Sequence, residues 1–503
     1  MKVGVLTYHS ANNYGTCLQC YALMHLVEQA GYDCDVIDYR GEKLSNSPVM
    51  RKGLAAQVTD FCVRTGSRQL KRMSEKEFHS FRQKHFHLSQ PVTENDLPAL
   101  AKQYDLFISG SDQVWNPYIC GCPGLYLQEF VQGKTRRGSY AASFGITELP
   151  QNEKERFKRD FEQFDFLAVR EPEGAKIIRD LTGREAAVVL DPTLLLTAEE
   201  WREAEEPLDL KKPFIFVYML GASSRMLRFA TTLKKKTGMQ LVFCPFPVGK
   251  PPISRWYPFI SPAKWLWLMR NASYVVTNSF HGTAFSLNYE KKFFVDISDN
   301  LSTLSSRITR LFSLTGQENR LIGHGAEEPI DTEIDYAPVR AALGRERERS
   351  RAYLLDMLAK FGYADEAYTL LTRDTYPSFG FMIQNEATTV WERFELKKNP
   401  NMNSHNHPMY GAVGSWFYQY LAGITPTAPG FAEMTIKPVF PSALLSAHAV
   451  VDTVMGEVSV RWAKRYGKLF LFVQLPFGSV AHLDFNGTQT TLRGGYHVFE
   501  KNL

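Results

Sequence analysis

The sequence has little that would assign it to a membrane or a secreted class. No apolar run approaches the ~18 residues that a membrane-spanning helix needs. Residues 1–8 also lack the long apolar stretch and the small-residue cleavage site of a signal peptide. We therefore expect a cytoplasmic protein.

The cysteines do not form a pattern that indicates a disulfide framework or a metal site. There are seven of them, an odd number, and they are scattered through the first half of the chain. Cys17 and Cys20 form a close pair, as do Cys120 and Cys122, but neither is matched by a second pair at zinc-ligand spacing. We expect buried free thiols for most of them and no bound metal.

The sequence also has no large excess of charge of either sign. The 58 basic and 53 acidic residues leave a formal net charge of +5. This slight excess favours anionic ligands but is too small to indicate a nucleic-acid partner. The length of 503 residues corresponds to about three domains.

Apolar strands alternate with helical segments through the first 350 residues. This order predicts an α/β fold made of two doubly wound parallel sheets, with a ligand cleft at the carboxyl ends of the strands. The predicted strands cover residues 2–7, 36–39, 105–109, 137–141, 166–170 and 187–190 in the first half and 214–218, 240–244, 274–277 and 292–295 in the second.

The pattern changes after residue 350. The charged run over 345–351 indicates a solvated helix face, and aromatic-rich helices are predicted over 353–372 and 409–423. Short alternating strands begin at about residue 433. We therefore expect domains over 1–195, 196–350, 351–432 and 433–503.

The segment 275–285 carries the clearest functional signal. It predicts a strand, a polar turn and a helix, in which Ser279 caps the helix and Gly282 allows close approach to a ligand. The amides and dipole at the start of such a helix favour an anion. His281 lies there and could bind that anion or donate a proton to it, although a purely structural histidine fits the same pattern.

Polar residues follow three other predicted strands. Ser111 and Asp112 follow one strand, Ser143 follows another, and Arg170 ends a third. Arg170 offers a planar pair of donors to a carboxylate or phosphate, and Asp112 could orient a sugar hydroxyl or accept its proton. The alternatives are a turn cap for Asp112 and a salt bridge with Glu173 for Arg170.

Six motifs in this order resemble the polysaccharide pyruvyl transferase family. The motifs are Thr7–Gly15, Asp105–Trp115, Ser139–Gly145, Val169–Glu171, Leu190–Thr193 and Asn278–Gly282. The resemblance covers residues 1 to about 350 and implies two Rossmann-like lobes, similar to B-type glycosyltransferases. It also implies transfer of a pyruvyl group from phosphoenolpyruvate to a sugar, giving a ketal, with no further cofactor.

The resemblance assigns roles to individual residues. His281 matches the family's histidine and would act as the general acid, with Asp112 positioning the acceptor hydroxyl. Ser279 stands where the family has an arginine, so Arg170 would be the remaining guanidinium. Asn13, Ser111, Ser143, Ser279 and Gly282 would complete the substrate site.

The implied acceptor is a sugar or a lipid-linked oligosaccharide, reached by peripheral contact with a membrane. Glycosyl transfer from a nucleotide sugar on the same scaffold is the alternative.

Residues 352–503 resemble the C-terminal part of bacterial α-L-rhamnosidases. The motifs are Tyr376–Gly380, Ala387–Glu392, Ser404–His407, Gly411–Trp416 and Pro429–Phe431. The resemblance implies a partial helical barrel followed by a small β-sandwich, with Glu392 as general base and His407 in contact with a sugar. Because the segment that carries the family's general acid is replaced by the transferase-like part, we expect a vestigial glycosidase site. Rhamnosidase activity and a carbohydrate-binding or docking role are the alternatives.

Overall fold

The computed structural model describes residues 2–29, 32–41, 74–120, 123–220, 223–244, 255–257, 260–297, 302–323, 333–360, 364–375, 378–391 and 414–502. The chain divides into two compact units, Met1–Arg347 and Glu348–Leu503. Within the described ranges no helix is both long enough and apolar enough to cross a membrane.

The first unit begins with a six-stranded parallel sheet. Its strands are β1 (Lys2–Leu6), β2 (Asp33–Val36), β3 (Leu106–Asp112), β4 (Arg136–Ala142), β5 (Ala168–Val169) and β6 (Ala187–Val188), in the spatial order β2-β1-β3-β4-β5-β6. The strands are rich in buried apolar residues because helices cover a parallel sheet on both faces.

A second, five-stranded parallel sheet follows in the same unit. Its strands are β7 (Phe214–Tyr218), β8 (Gln240–Phe243), β9 (Arg255–Trp256), β10 (Tyr274–Thr277) and β11 (Lys292–Val295), in the order β11-β10-β7-β8-β9. In both sheets the order reverses beside the first strand, which confirms the predicted pair of doubly wound lobes.

Helices connect the strands of both lobes. They are α1 (Tyr14–Gln29), α2 (74–85), α3 (Leu97–Ala101), α4 (Pro123–Tyr126), α5 (Gln151–Phe161), α6 (Pro172–Thr182), α7 (Pro192–Leu195), α8 (Ala198–Arg202), α9 (Ser224–Thr237), α10 (Pro262–Asn271), α11 (Phe280–Asn288), α12 (Ser302–Thr315) and α13 (Tyr336–Lys360). Local sequence sets several of the ends: Ser223 caps α9, which stops at the left-handed Gly238.

Tyr14, the first residue of α1, forms contacts between the two lobes. Its ring stacks on Trp265 of α10 with the centroids 5.5 Å apart. Its hydroxyl donates to the carbonyl of Ile260 at 3.1 Å and accepts from the thiol of Cys244 at 3.1 Å. The N-terminal end of α1 therefore belongs to the surface between the lobes. Cys244, like Cys17, Cys20, Cys34 and Cys120, is a buried free thiol, as predicted.

The charged run over 345–351 is only partly the solvated face that its composition predicts. Arg345 and Arg349 are exposed. Arg347 instead turns inward, and its guanidinium donates to the carbonyl of Leu194 at 2.5 Å and to the side chain of Asn288 at 2.9 Å. The prediction is wrong for Arg347 because a carbonyl oxygen and an amide oxygen of two buried residues lie within hydrogen-bond reach of its guanidinium.

The second unit contains short helices and an antiparallel-rich sheet. The helices are the end of α13, α14 (Ala364–Thr372), α15 (Phe379–Gln384) and α16 (Gly414–Trp416). The strands are β12 (Ile424–Pro426), β13 (Glu433–Ile436), β14 (Ser446–Thr453), β15 (Gly456–Arg465), β16 (Lys468–Phe485) and β17 (Thr488–Asn502). They form one strongly curled six-stranded sheet.

The curl of this sheet depends on the long strand β16. Its first half pairs with β15, its second half pairs with β13, and β17 follows it throughout, with a register shift between Leu475 and Val480. One face packs around Trp462, whose indole donates to the carbonyl of Leu421 at 2.6 Å. The all-β character predicted from residue 433 onward is confirmed, and the strands share one curled sheet where the resemblance implied a small sandwich.

Candidate active site

The carboxyl ends of five strands from the two lobes bring the candidate residues together. Strands β3 to β6 end beside Asp112, Ser143, Arg170 and Asp191, and β10 of the second lobe leads into His281. Strand ends of parallel sheets are where such folds bind ligands, because the backbone changes direction there and frees side chains for other contacts. Asp191 lies next to both Arg170 and His281, so candidate residues of the two lobes come together at these strand ends.

His281 lies in the first turn of α11. Ser279 caps this helix, since its hydroxyl accepts from the Gly282 amide at 3.4 Å. The His281 side chain is only 8% exposed, and its Nε2 lies 3.7 Å from Oδ2 of Asp191. That distance allows charge attraction but is too long for a hydrogen bond. Nε2 has no hydrogen-bond partner among the described residues, so its proton or lone pair is available to a ligand.

Gly15 of α1 lies directly against the imidazole. A Cβ atom at this position would stand 2.0 Å from Nδ1 of His281, far inside van der Waals contact. The absence of a side chain at residue 15 therefore allows α1 of one lobe to approach α11 of the other. This explains why the motif Thr7–Gly15 ends in glycine, which the sequence could not explain.

Arg170 is buried in the middle of the cluster. Its Nη1 donates to Oδ2 of Asp191 at 2.7 Å, its Nη2 lies 3.9 Å from Asp112, and its Nε lies 3.8 Å from Glu171. Nε and Nη2 have no hydrogen-bond partner in the part of the chain that the structure describes. The guanidinium is thus oriented by Asp191 and keeps two donors for a ligand. The predicted salt bridge with Glu173 is replaced by these three carboxylates.

Asp191 links the arginine to the histidine. Burial alone would raise the pKa of this carboxyl, but His281 and Arg170 outweigh that effect and hold the pKa well below its usual range. Its oxygens also accept from the hydroxyls of Ser111 at 2.9 Å and Thr193 at 2.7 Å. Asp191 is therefore a fixed anion that holds Arg170 and lies next to the imidazole of His281.

Asp112 occupies a strained backbone position at the end of β3. Its φ of 69° lies in the left-handed region, which costs a non-glycine residue about 1 kcal/mol or more. The hydroxyl of Thr16 donates to the carboxylate at 2.7 Å and the amide of Gln113 at 2.9 Å. Burial raises the pKa of Asp112, yet the charges of Arg170, His281 and Arg307 lower it overall. Asp112 is therefore ionised at neutral pH.

The structure assigns local partners to the other predicted residues. Ser143 donates to Glu171 at 2.5 Å, and Asn13 accepts the Thr16 amide at 3.2 Å as a cap of α1. Like the Ser111 hydroxyl, these side chains orient neighbouring groups, and their contact with a substrate stays a prediction.

Gly282 also has a packing reason that the sequence did not show. A Cβ at Gly282 would stand 2.4 Å from Oγ1 of Thr277, so the glycine allows close approach to the end of β10, and its contact with a ligand stays a prediction.

Sequence reasoning missed Asp191, Gly15 and Arg307 as members of the cluster. Asp191 was visible as part of a motif that follows a strand, and Gly15 as the end of another. Arg307 carried no signal, because it lies on α12 outside the six motifs.

A small cavity borders the cluster. It has a volume of about 30 Å³, room for a water molecule, and is lined by Arg170, Asp191, Phe280, Arg307 and neighbouring leucines. Its lining combines guanidiniums and the carboxylate of Asp191 with apolar side chains.

We expect Gly15→Ala to reduce catalytic turnover at least about tenfold while leaving the chain folded, because the added methyl group displaces His281 from Asp191. Steady-state kinetics and circular dichroism measure the two effects. Gly344→Ala is the matched control, since a Cβ there meets nothing within 4 Å. Equal turnover in the two variants would show that the imidazole position is not critical.

Three family models match consecutive parts of the chain. The model described as polysaccharide pyruvyl transferase covers residues 13–295. The bacterial alpha-L-rhamnosidase 6 hairpin glycosidase domain covers 350–421, and the bacterial alpha-L-rhamnosidase C-terminal domain covers 423–500. Both predicted resemblances are confirmed. Glu392 and His407 lie outside the described residues.

Curated relatives match the C-terminal part. An alpha-L-rhamnosidase of Streptomyces avermitilis is 38% identical over 136 residues, which are 26% of this chain and 13% of that protein. Another from Formosa agariphila is 33% identical over 205 residues, 39% of this chain and 22% of that protein. The chain therefore spans less than a quarter of the length of these relatives.

Solved structures with partial similarity include two kinds of enzyme. The S. avermitilis alpha-L-rhamnosidase complexed with L-rhamnose aligns with 48% of this chain and 26% of its own, at 22% identity and a TM-score of 0.28. The UDP-GlcNAc 2-epimerase of Methanocaldococcus jannaschii aligns with 72% of this chain and all of its own, at 10% identity and a TM-score of 0.39.

Proposed function

Because this chain belongs to the polysaccharide pyruvyl transferase family, we propose that it transfers a pyruvyl group from phosphoenolpyruvate to a sugar of a surface polysaccharide or its precursor. The product is a ketal bridging two hydroxyls, and phosphate is released. One hydroxyl proton is balanced by the proton gained at the methylene carbon, and the other leaves with phosphate. The single observation that supports this most is the free Nε2 of His281 beside the two free donors of Arg170.

His281 acts as the general acid in this proposal. A protonated imidazole delivers its proton to the enol carbon, or to the departing phosphate, and Asp191 stabilises the imidazolium from 3.7 Å.

In this proposal Arg170 binds phosphoenolpyruvate, the pyruvyl donor, and Asp112 binds the acceptor sugar. Arg170 has two buried donors directed away from Asp191, which suit an oxygen pair of a carboxylate or phosphate. Asp112 has a lowered pKa, so it is a better hydrogen-bond acceptor for a sugar hydroxyl than a general base. Its role is therefore to position the nucleophile.

We place the reaction in the cytoplasm, with peripheral contact to a membrane where the acceptor is lipid-linked. The four-domain division over 1–195, 196–350, 351–432 and 433–503 is proposed as the functional layout, with the reaction carried by the first two.

We propose that the tail hydrolyses no rhamnoside in this chain. An inverting glycosidase needs two carboxylates about 6.5–9.5 Å apart on either side of the bond. The hairpin glycosidase match covers only residues 350–421, and the matched relatives are more than four times longer than the aligned segments. Glu392 is thus proposed as a vestigial base and His407 as a vestigial sugar contact.

The test uses the purified full chain with phosphoenolpyruvate and a panel of methyl glycosides and UDP-sugars. We expect acceptor-dependent phosphate release and a new ketal methyl signal in the NMR spectrum of the product. An aryl α-L-rhamnoside, tested with the same preparation, should stay intact. Sugar transfer from a UDP-sugar without phosphoenolpyruvate would overturn the proposal in favour of glycosyl transfer.

A further inference from the structure

A second buried guanidinium, that of Arg307, lies beside the cluster. Arg307 projects from α12 and is only 5% exposed. Its guanidinium carbon lies 5.7 Å from the centre of the Phe280 ring, and that of Arg170 lies 4.9 Å from the same ring. Phe280 is the first residue of α11, so the two arginines meet next to His281.

Arg307 is incompletely paired. Its Nε has no hydrogen-bond partner among the described residues, and within those ranges no carboxylate forms an ion pair with it. Arg170, by contrast, is held by Asp191 at 2.7 Å. A buried cation without a close counter-ion is costly, so its retention at this position calls for a ligand that pairs with it.

The electrostatic surroundings of Arg307 also favour a bound anion. Burial, and then the like charge of Arg170, lower the pKa of Arg307 to about 10. Asp112, Glu171 and Asp191 offset part of this from a distance. An anion bound between the two guanidiniums would relieve their repulsion.

Arg170 and Arg307 both line the cavity, together with Asp191, Arg310 and the apolar side chains of Phe280, Leu311 and Leu314. Since the cavity has room for about one water molecule, a ligand with two anionic groups on a short carbon skeleton would place only one end in it. Its other anionic group would then pair with the second guanidinium. A ligand with one charge would engage only one guanidinium.

We propose that Arg307 is the second arm of a two-arginine clamp that selects a small ligand with two separate anionic groups. This rests on the proposed function, in which phosphoenolpyruvate is that ligand. It also accounts for Ser279 at the position where the resemblance expects an arginine, because α12 supplies the guanidinium instead.

The test compares Arg307→Gln with Arg320→Gln in the full chain. Arg320 is a matched control: it is also 5% exposed, its guanidinium carbon lies 5.9 Å from the centre of the Phe294 ring, and it lies outside the cavity lining. Calorimetric binding is measured with phosphoenolpyruvate, inorganic phosphate and pyruvate, alongside KM and kcat.

The clamp predicts a loss specific to the ligand with two anionic groups. In Arg307→Gln we expect the Kd and KM for phosphoenolpyruvate to rise about 10- to 100-fold, toward the affinity of phosphate and pyruvate, which each have one anionic group, with a smaller change in kcat. Arg320→Gln should bind as the wild type does. If Arg307→Gln fails to fold, the same binding measurements are made with Arg307→Lys. This variant should still bind phosphoenolpyruvate severalfold more weakly, because lysine lacks the planar pair of donors.

Two negative results have different meanings. Wild-type turnover of phosphoenolpyruvate with an unchanged KM in the Arg307 variants would overturn the clamp and leave the proposed function standing. A wild-type protein that neither binds nor consumes phosphoenolpyruvate would overturn the proposed function together with the clamp.

Discussion

Replacing His281 with alanine should lower kcat for pyruvyl transfer by about 10²- to 10⁴-fold, the usual contribution of a positioned general acid. The expected change in KM is smaller, because Arg170 still holds the donor. The reason is the geometry of the ring: Nε2 is buried, has no hydrogen-bond partner among the described residues and lies 3.7 Å from Oδ2 of Asp191. The measurement is single-turnover and steady-state kinetics across the pH range.

The control for this prediction is His85→Ala. The His85 ring is half-buried against Phe81 at 4.5 Å, and its Nε2 also has no partner within the described ranges, but it lies outside the cluster. We expect wild-type kcat in that variant. If His281→Ala retained the wild-type rate and the same alkaline limb of the pH profile, His281 would not be the acid.

Replacing Arg170 with glutamine should abolish measurable turnover and destabilise the protein by about 3–5 kcal/mol at pH 7. The free energy is lost because the change leaves Asp191, Asp112 and Glu171 buried without their shared cation. Urea denaturation measures the stability. Arg156→Gln is the control, because Arg156 pairs with Glu129 at a partly exposed site, where the expected loss is below about 1 kcal/mol.

The destabilisation should depend on pH in a defined direction. The pKa values of Asp191 and Asp112 are held below their usual range in the folded wild type. Their ionised forms therefore stabilise the fold above the ordinary aspartate pKa of about 3.9, and this stabilisation is lost as the pH falls through the folded values. The difference in the free energy of unfolding between the wild type and Arg170→Gln should be largest at neutral pH and become smaller below about pH 4. A difference that increases as the pH falls would contradict the role given to Arg170.

The strands were the most predictable part of this molecule. The expected strands over 214–218, 274–277 and 292–295 coincide with Phe214–Tyr218, Tyr274–Thr277 and Lys292–Val295. These are short, continuous apolar runs bounded by polar turns, so local composition decides their structure. The proximity of His281 and Arg170 to Asp191 agrees with the rule that two doubly wound lobes form their ligand cleft at the carboxyl ends of the strands.

The contacts that complete the cluster depend on tertiary packing, which the sequence does not encode locally. Gly15 and His281 lie on different lobes, and only the docking of α1 on the second lobe brings them together. Arg307 belongs to a helix that resembles any amphipathic surface helix in sequence. Arg347 was expected in solvent because its neighbours are charged, and its actual partners come from α11 and the end of α7.

The contact between Gly15 and His281 links the proposed chemistry to the relative position of the two lobes. Gly15 lies on α1 of the first lobe and His281 on α11 of the second, and a Cβ at residue 15 would stand 2.0 Å from Nδ1 of the ring. The orientation of the proton donor therefore depends on the spacing between the lobes. A larger spacing would remove the backbone that supports the imidazole, and with it the fixed orientation that general acid catalysis needs.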